Sequence, residues 1–246
     1  MSTQLEFVGH ACFRVWEEGR PTLLLDPFTP ETLRLDGDLK LEAETVIVSS
    51  LTDPAHDNFK MAIGSPRVIN ALDVARGHAK ATINGEALIT LAAHEAADHT
   101  EHSPMDNAMY AFKVGGLWIM HMGDLGYRLD ERELRSFRGH CDLLLVITGE
   151  ANTPAHADLS TMIDFLQPRW LVPMHYCLPP VTFDMSQLQK FLAHRARDPV
   201  IFARHHTISL PPPEVSPGCP TLLVLEPSGY TPSQPVGDWS GQRGSP

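Results

Sequence analysis

The chain has 246 residues, with 19 Lys plus Arg against 30 Asp plus Glu and a net charge of −11. That length suits one domain with a sizeable core. The acidic balance excludes a broad basic face for nucleic-acid backbones, yet a phosphorylated small molecule could still bind if metal ions supplied positive charge.

Leu5 to Val15 and Pro21 to Leu25 read as two strands joined across Glu17-Glu18-Gly19, with His10 inside the first. Asp26-Pro27 ends the second, because the residue before proline is pushed out of helical space. Residues 29 to 44 are polar and irregular, as a surface connection is. Thr45 to Ser49 is an apolar strand running into LTDPAHDN, which carries Asp53, His56 and Asp57. Pro66 to Ile69 and Ala81 to Ile83 read as short strands, and Leu88 to Ala92 is a further apolar run that ends at His94. The polar stretch after His94 holds His99 and His102 as alternative ligands, and cannot be core. Asn107 to Val114 returns to strand, and Gly115-Gly116 turns it into Leu117 to Met120, which delivers His121 and Asp124 between glycines.

Asp130 to Phe137 reads as a helix with a capping-box-like start at Asp130 and Glu133. Asp142 to Thr148 is a continuous apolar run, expected of a strand covered on both faces. Thr153-Pro154 opens a second helix whose Leu159, Met162, Ile163 and Leu166 form a core stripe ended by Pro168. Trp170 to Val172 then leads to Pro173-Met174-His175. Ser186 to Arg195 reads as a third helix with Ser186 and Gln189 as a capping box, and three closing strands follow. Residues 1–226 therefore form the domain, and the Pro-, Gly- and Ser-rich residues 227–246 a disordered tail.

Four strand ends thus present Asp and His side chains. Carboxylate oxygens and neutral imidazole nitrogens suit zinc, and also iron or manganese, so a metal pocket is the leading expectation. Cys12, Cys141, Cys177 and Cys219 are scattered without a CxxC pair, against a zinc ribbon or a thioredoxin-type site. No basic start precedes an apolar segment and no run approaches a membrane span, so a cytoplasmic location is expected.

The order GHACF (9–13), LLLDPF (23–28), VIVS (46–49), GSPRVI (64–69), the histidine at 94, HMGDLG (121–126) and PMHY (173–176) resembles the metallo-β-lactamase superfamily. Within it the chain is similar to the branch of small metal-dependent hydrolases around ascorbate-6-phosphate lactonase, over residues 4 to 226. Pattern alone supports α/β; the resemblance implies a four-layer αββα sandwich of two mixed sheets. It also implies one or two zinc ions, with Asp124 bridging, His56 and His175 completing one position, and His94 with Asp53 at the other. Asp124 and Asp53 are the expected catalytic carboxylates, and His10 would lie near the site as a supporting or a structural histidine. The chain departs from the family at its His-x-His-x-Asp-His signature. With the last His on His56, Leu51 and Asp53 fall on the first two His positions and Ala55 on the Asp. One well-bound metal and a weak or empty second position follow.

The function expected is hydrolysis of a small ester, lactone or phosphodiester-type substrate, by a protein that partners neither nucleic acid nor membrane and can form a homo-oligomer. The alternative is a noncatalytic protein of the same fold whose site is partly or wholly lost. A third reading is metal-independent catalysis through Cys177 or His121.

Overall fold

A computed structural model describes residues 2–96, 103–181, 184–216 and 218–231. The alternative ligands His99 and His102, and residues 232–246 of the expected tail, lie outside them.

The first half of the chain forms β1 (Thr3–Gly9), β2 (Cys12–Trp16), β3 (Leu23–Leu25), β4 (Leu41–Glu42), β5 (Thr45–Val48), β6 (Ala62–Ile63), β7 (Arg67–Asn70) and α1 (Ala71–Ala75). The minor hairpin of β8 (Thr82–Ile83) and β9 (Glu86–Ala87) leads to β10 (Ile89–Ala93), β11 (Asn107–Val114) and β12 (Leu117–His121). Strand and helix then alternate through β13 (Leu143–Ile147), α2 (His156–Leu166), β14 (Trp170–Met174) and α3 (Leu188–His194). The chain closes with β15 (Val200–Phe202), β16 (Thr207–Leu210) and β17 (Thr221–Val224).

Two mixed sheets result, ordered β16-β1-β2-β3-β5-β7 and β10-β11-β12-β13-β14-β17-β15. This is the α/β arrangement with two mixed sheets that the resemblance implies. Side chains of the first sheet alternate between two cores with the strand period of two. Phe13, Val15, Leu23, Leu25 and Ile47 join the main core with residues of the second sheet, whereas Cys12, Leu24, Val46 and Val48 face a separate cluster. Phe28, Leu33, Leu35 and Met61 cover that second cluster, so the connection over 29 to 44 is more than a surface excursion. β3, β5 and β7 run parallel, as do β12, β13 and β14. Their carboxyl ends bring Asp26, the loop after β5, Asp124 and His175 to one edge.

Several local expectations need correcting. The stretch read as one strand from Leu5 to Val15 is a hairpin that turns at His10-Ala11, because Gly9 has φ 142° and His10 φ 55°. The left-handed conformation of His10 reverses the chain there. Asp130 and Glu133 do exchange hydrogen bonds as a capping box, with Glu133 N–H donating to Asp130 Oδ1 (2.9 Å) and Asp130 N–H to Glu133 Oε2 (2.7 Å). What they cap is a five-residue 3-10 helix, Glu133–Phe137; its buried Leu134 and Phe137 are three apart, the 3-10 repeat. Ser186 does not cap α3; its Oγ donates to Glu150 Oε2 at 2.8 Å. The expected tail begins too early, because Ser228 and Gly229 N–H donate to Phe7 and Val8 carbonyls at 2.9 and 2.7 Å.

Candidate metal centre

Asp26, directly after β3, is the hub on which the site is built. Its buried carboxylate accepts from Ser49 N–H (2.9 Å), Ser49 Oγ (2.6 Å) and Tyr110 Oη (3.1 Å), and holds His56 Nδ1 at 3.1 Å. Burial opposes its charge, but His121, His56 and Ser49 hold it below the usual carboxylate range. Asp26 thus pins the loop after β5 and turns Nε2 of His56 away from itself, as carboxylates do behind metal-binding histidines. His121 braces the opposite side. Its Nδ1 accepts from Gly123 N–H at 2.9 Å, so the ring is the Nε2–H tautomer, which donates to the Ala11 carbonyl at 2.8 Å. Both nitrogens are thereby occupied in support of the two turns that carry His10 and Asp124.

Around this frame, ligand atoms of Asp53, His56 and Asp124 lie within 4.8 Å of one another, and so do those of His10, His56 and His175. His56 Nε2 is 3.7 Å from Asp53 Oδ2 and 3.9 Å from Asp124 Oδ2, and His175 Nε2 is 3.4 Å from Asp124 Oδ1. Donors around a tetrahedral ion with bonds of about 2.0–2.1 Å sit about 3.3 Å apart, so these gaps are those of ligands just short of closing on a cation. Among the described residues, His56 Nε2, Asp124 Oδ1 and His175 Nδ1 are buried without a hydrogen-bond partner. Buried polar atoms left in that state are costly unless something satisfies them. The donor set therefore fits a metal ion.

The electrostatics are those of a cation site. Burial works against a proton on His56, yet Asp53, Asp26 and Asp124 overcome it and raise its pKa to about 10. A positive charge is thus favoured among these carboxylates. Burial lowers the pKa of His175, which Asp124 offsets only in part, and burial with His175 and His56 holds His10 well below the ordinary histidine range. Neutral imidazoles are what a metal requires. Glu95, buried beside the same groups, is raised to about 9 by burial, Asp124 and Asp53.

Of the residues singled out in the sequence, Asp53, His56, Asp124 and His175 meet at this edge. Asp53 Oδ1 also accepts from Ala55 N–H at 2.9 Å, so the same carboxylate stabilises the turn and faces His56 with Oδ2 at 3.7 Å. His94 lies outside both groups: its Nδ1 donates to the Glu95 carbonyl (2.8 Å) and its ring stacks on Tyr127 at 3.7 Å. Asp57 lies outside them as well. Leu51, on the first signature position, is 45% exposed and turned to solvent. Sequence reasoning passed over Glu95, and it left His10 without a ligand role. Glycine before His10 was the available signal, because it marks a turn rather than a strand interior.

Residues 4–175 match the family described as the beta-lactamase superfamily domain. The chain is similar to a protein of Pyrococcus abyssi named UPF0173 metal-dependent hydrolase, 23% identical over 213 residues that make up 79% of this chain and 94% of the relative. A solved structure of a metallo-β-lactamase superfamily protein from Thermotoga maritima shares the fold with a TM-score of 0.64, at 22% identity over 91% of this chain and 100% of its own. Igni18, a metallo hydrolase from Ignicoccus hospitalis, does so with a TM-score of 0.56, at 16% identity over 80% of this chain and 91% of its own.

Proposed function

The chain belongs to the beta-lactamase superfamily, and from that premise we propose that it is a metal-dependent hydrolase acting on a small ester, lactone or phosphodiester-type substrate. The observation that carries the reading is the convergence of Asp53, His56, Asp124 and His175 at one sheet edge, where His56 Nε2, Asp124 Oδ1 and His175 Nδ1 are buried without a hydrogen-bond partner among the described residues. These four residues would hold zinc, with iron or manganese compatible with the same donors. When bound, such an ion polarises a substrate oxygen and lowers the pKa of water towards about 7.

The protein's own groups orient and tune. Asp26 fixes the ring of His56, and Tyr110 and Ser49 fix Asp26. Asp124 is held by its backbone N–H, which donates to Asn107 Oδ1 at 3.1 Å, so the carboxylate cannot swing out with the loop. Asp53 and Asp124 are the carboxylates that would orient an attacking water and accept its proton. His94, turned onto Tyr127, leaves the second metal position short of imidazoles, which supports a site dominated by one ion. The net charge of −11 fits a small-molecule substrate better than a nucleic-acid backbone, and among the described residues no helix is long and apolar enough to cross a membrane.

The replacement of signature ligands by Leu51 and Ala55 favours one other reading, a metal-binding protein of this fold without turnover. Screening zinc-loaded protein against lactones, phosphodiesters and thioesters, with Asp124→Ala as control, separates the two. Turnover that disappears in Asp124→Ala supports the hydrolase. Bound metal with no turnover on any class supports the noncatalytic reading, and unchanged turnover in Asp124→Ala places the chemistry elsewhere.

A further inference from the structure

His10 occupies an unusual place. It sits at the apex of the β1–β2 turn with φ 55°, is 3% exposed, and its ring centroid lies 4.1 Å from that of His175 and 5.2 Å from that of His56. The turn is locked to the other ligand-bearing strand end, because His175 N–H donates to the His10 carbonyl at 2.8 Å. His175 itself has φ 53°. Two left-handed histidines joined by a backbone hydrogen bond are a strained arrangement, and strain of this kind persists where the surroundings over-determine it. Gly9 belongs to the same device: a Cβ there would overlap the ring of Tyr230, so the C-terminal residues close over the turn from outside.

Three imidazoles within 4.8 Å of one another and a carboxylate pair on the far side of His56 make two overlapping donor groups. His56 belongs to both, and its Nδ1 is committed to Asp26. Only Nε2 remains, so the two groups cannot each hold an ion through His56. We propose that His10 is a metal ligand, forming with His56 and His175 the imidazole face of a single-ion site whose other face is Asp53 and Asp124. This rests on the reading of the edge as a metal site and deepens it. His10 restores an imidazole to a chain that lacks those at positions 51 and 53, and the ion drawn by such a set is a divalent late first-row metal, zinc or cobalt.

The test is to count imidazoles. Full-length protein is loaded with zinc, and X-ray absorption at the zinc edge counts histidine ligands in the native chain and in His10→Asn, where asparagine tolerates the left-handed backbone. Cobalt(II) absorption spectra and zinc titration calorimetry accompany it. Three imidazoles in the native protein and two in His10→Asn, with zinc affinity weaker by about 100-fold or more, is the expected result. Two imidazoles in the native protein overturns the proposal even if His10→Asn does not fold, and an unchanged count in the variant overturns it by a second route. Affinity loss without a change in count makes His10 a positioning residue behind His175 and also overturns it. Should native protein take up neither zinc nor cobalt, the metal reading itself falls, an outcome distinct from metal bound without His10.

Discussion

Asp26 Oδ2 lies 3.1 Å from Nδ1 of His56, and this contact decides which nitrogen of His56 faces the other ligands. Asp26→Asn would keep the volume but set an amide N–H₂ against donors that now share a carboxylate, namely Ser49 N–H, Ser49 Oγ and Tyr110 Oη. Zinc affinity by calorimetry should fall about 10–100-fold, and urea unfolding should show a loss of about 2–3 kcal/mol. Unaltered affinity would mean that the orientation of His56 does not depend on Asp26.

Stability of the metal-free protein should peak near neutral pH. His56 binds its proton more tightly folded (about 10) than at its ordinary value of 6.5, so its contribution is complete below about 6.5 and is lost as pH rises towards 10. Glu95, raised from 4.5 to about 9, likewise loses its contribution as pH rises through that interval. His10, His121 and His175 are shifted down from 6.5, so they contribute fully above that value and lose stability as pH falls below it. Between 4.5 and 6.5 the single carboxyl acts against three imidazoles. Thermal unfolding across pH 4 to 10 measures the curve, and zinc uptake near pH 7 should release a proton, since His56 must give up its own to bind.

Gly149 follows β13 closely; a Cβ there would overlap the carbonyl oxygen of His175 and come within 3.5 Å of that ring's Nδ1. Gly149→Ala should therefore displace His175. A loss of about 1–3 kcal/mol by overpacking is expected, with weaker zinc binding, whereas an equivalent change at solvent-facing Gly139, where a Cβ meets nothing within 4 Å, leaves zinc binding alone. Gly139 has φ +81°, so its change costs stability through the backbone; equal losses of zinc affinity at both glycines would show that the contact with His175 is immaterial.

Much of the fold was legible because the central strands are buried on both faces. Val46 to Val48, Leu143 to Ile147 and Trp170 to Met174 are uninterrupted apolar runs, and the polar groups that follow them could only lie at the sheet edge. The position of His175 at the sheet edge was readable for that reason. His94 also ends a strand, but its ring direction is set by stacking on Tyr127, a contact between separate segments that no local pattern records. The short helix α1 was missed because its five residues have too little periodicity; what starts it is Asn70, whose side chain accepts from Leu72 N–H at 3.0 Å. His10 was hidden by an apolar run that continues on both sides of the turn.

Rebuilding the missing signature tests the one-ion reading from the other direction. The triple change Leu51→His, Asp53→His and Ala55→Asp supplies the absent donors on a loop already anchored by Asp26 through Ser49 and His56. Elemental analysis after zinc loading should rise from about one to about two ions per chain. No rise would show that the second position is closed by the backbone and by His94 rather than by residue identity.

The most direct measurement is the metal content of protein purified without chelator, followed by zinc titration of the same sample. About one zinc-class ion per chain, bound at purification or taken up on titration and absent from Asp124→Ala, is the expected result. Near-zero zinc, iron and manganese, with no uptake when metal is added, would contradict it.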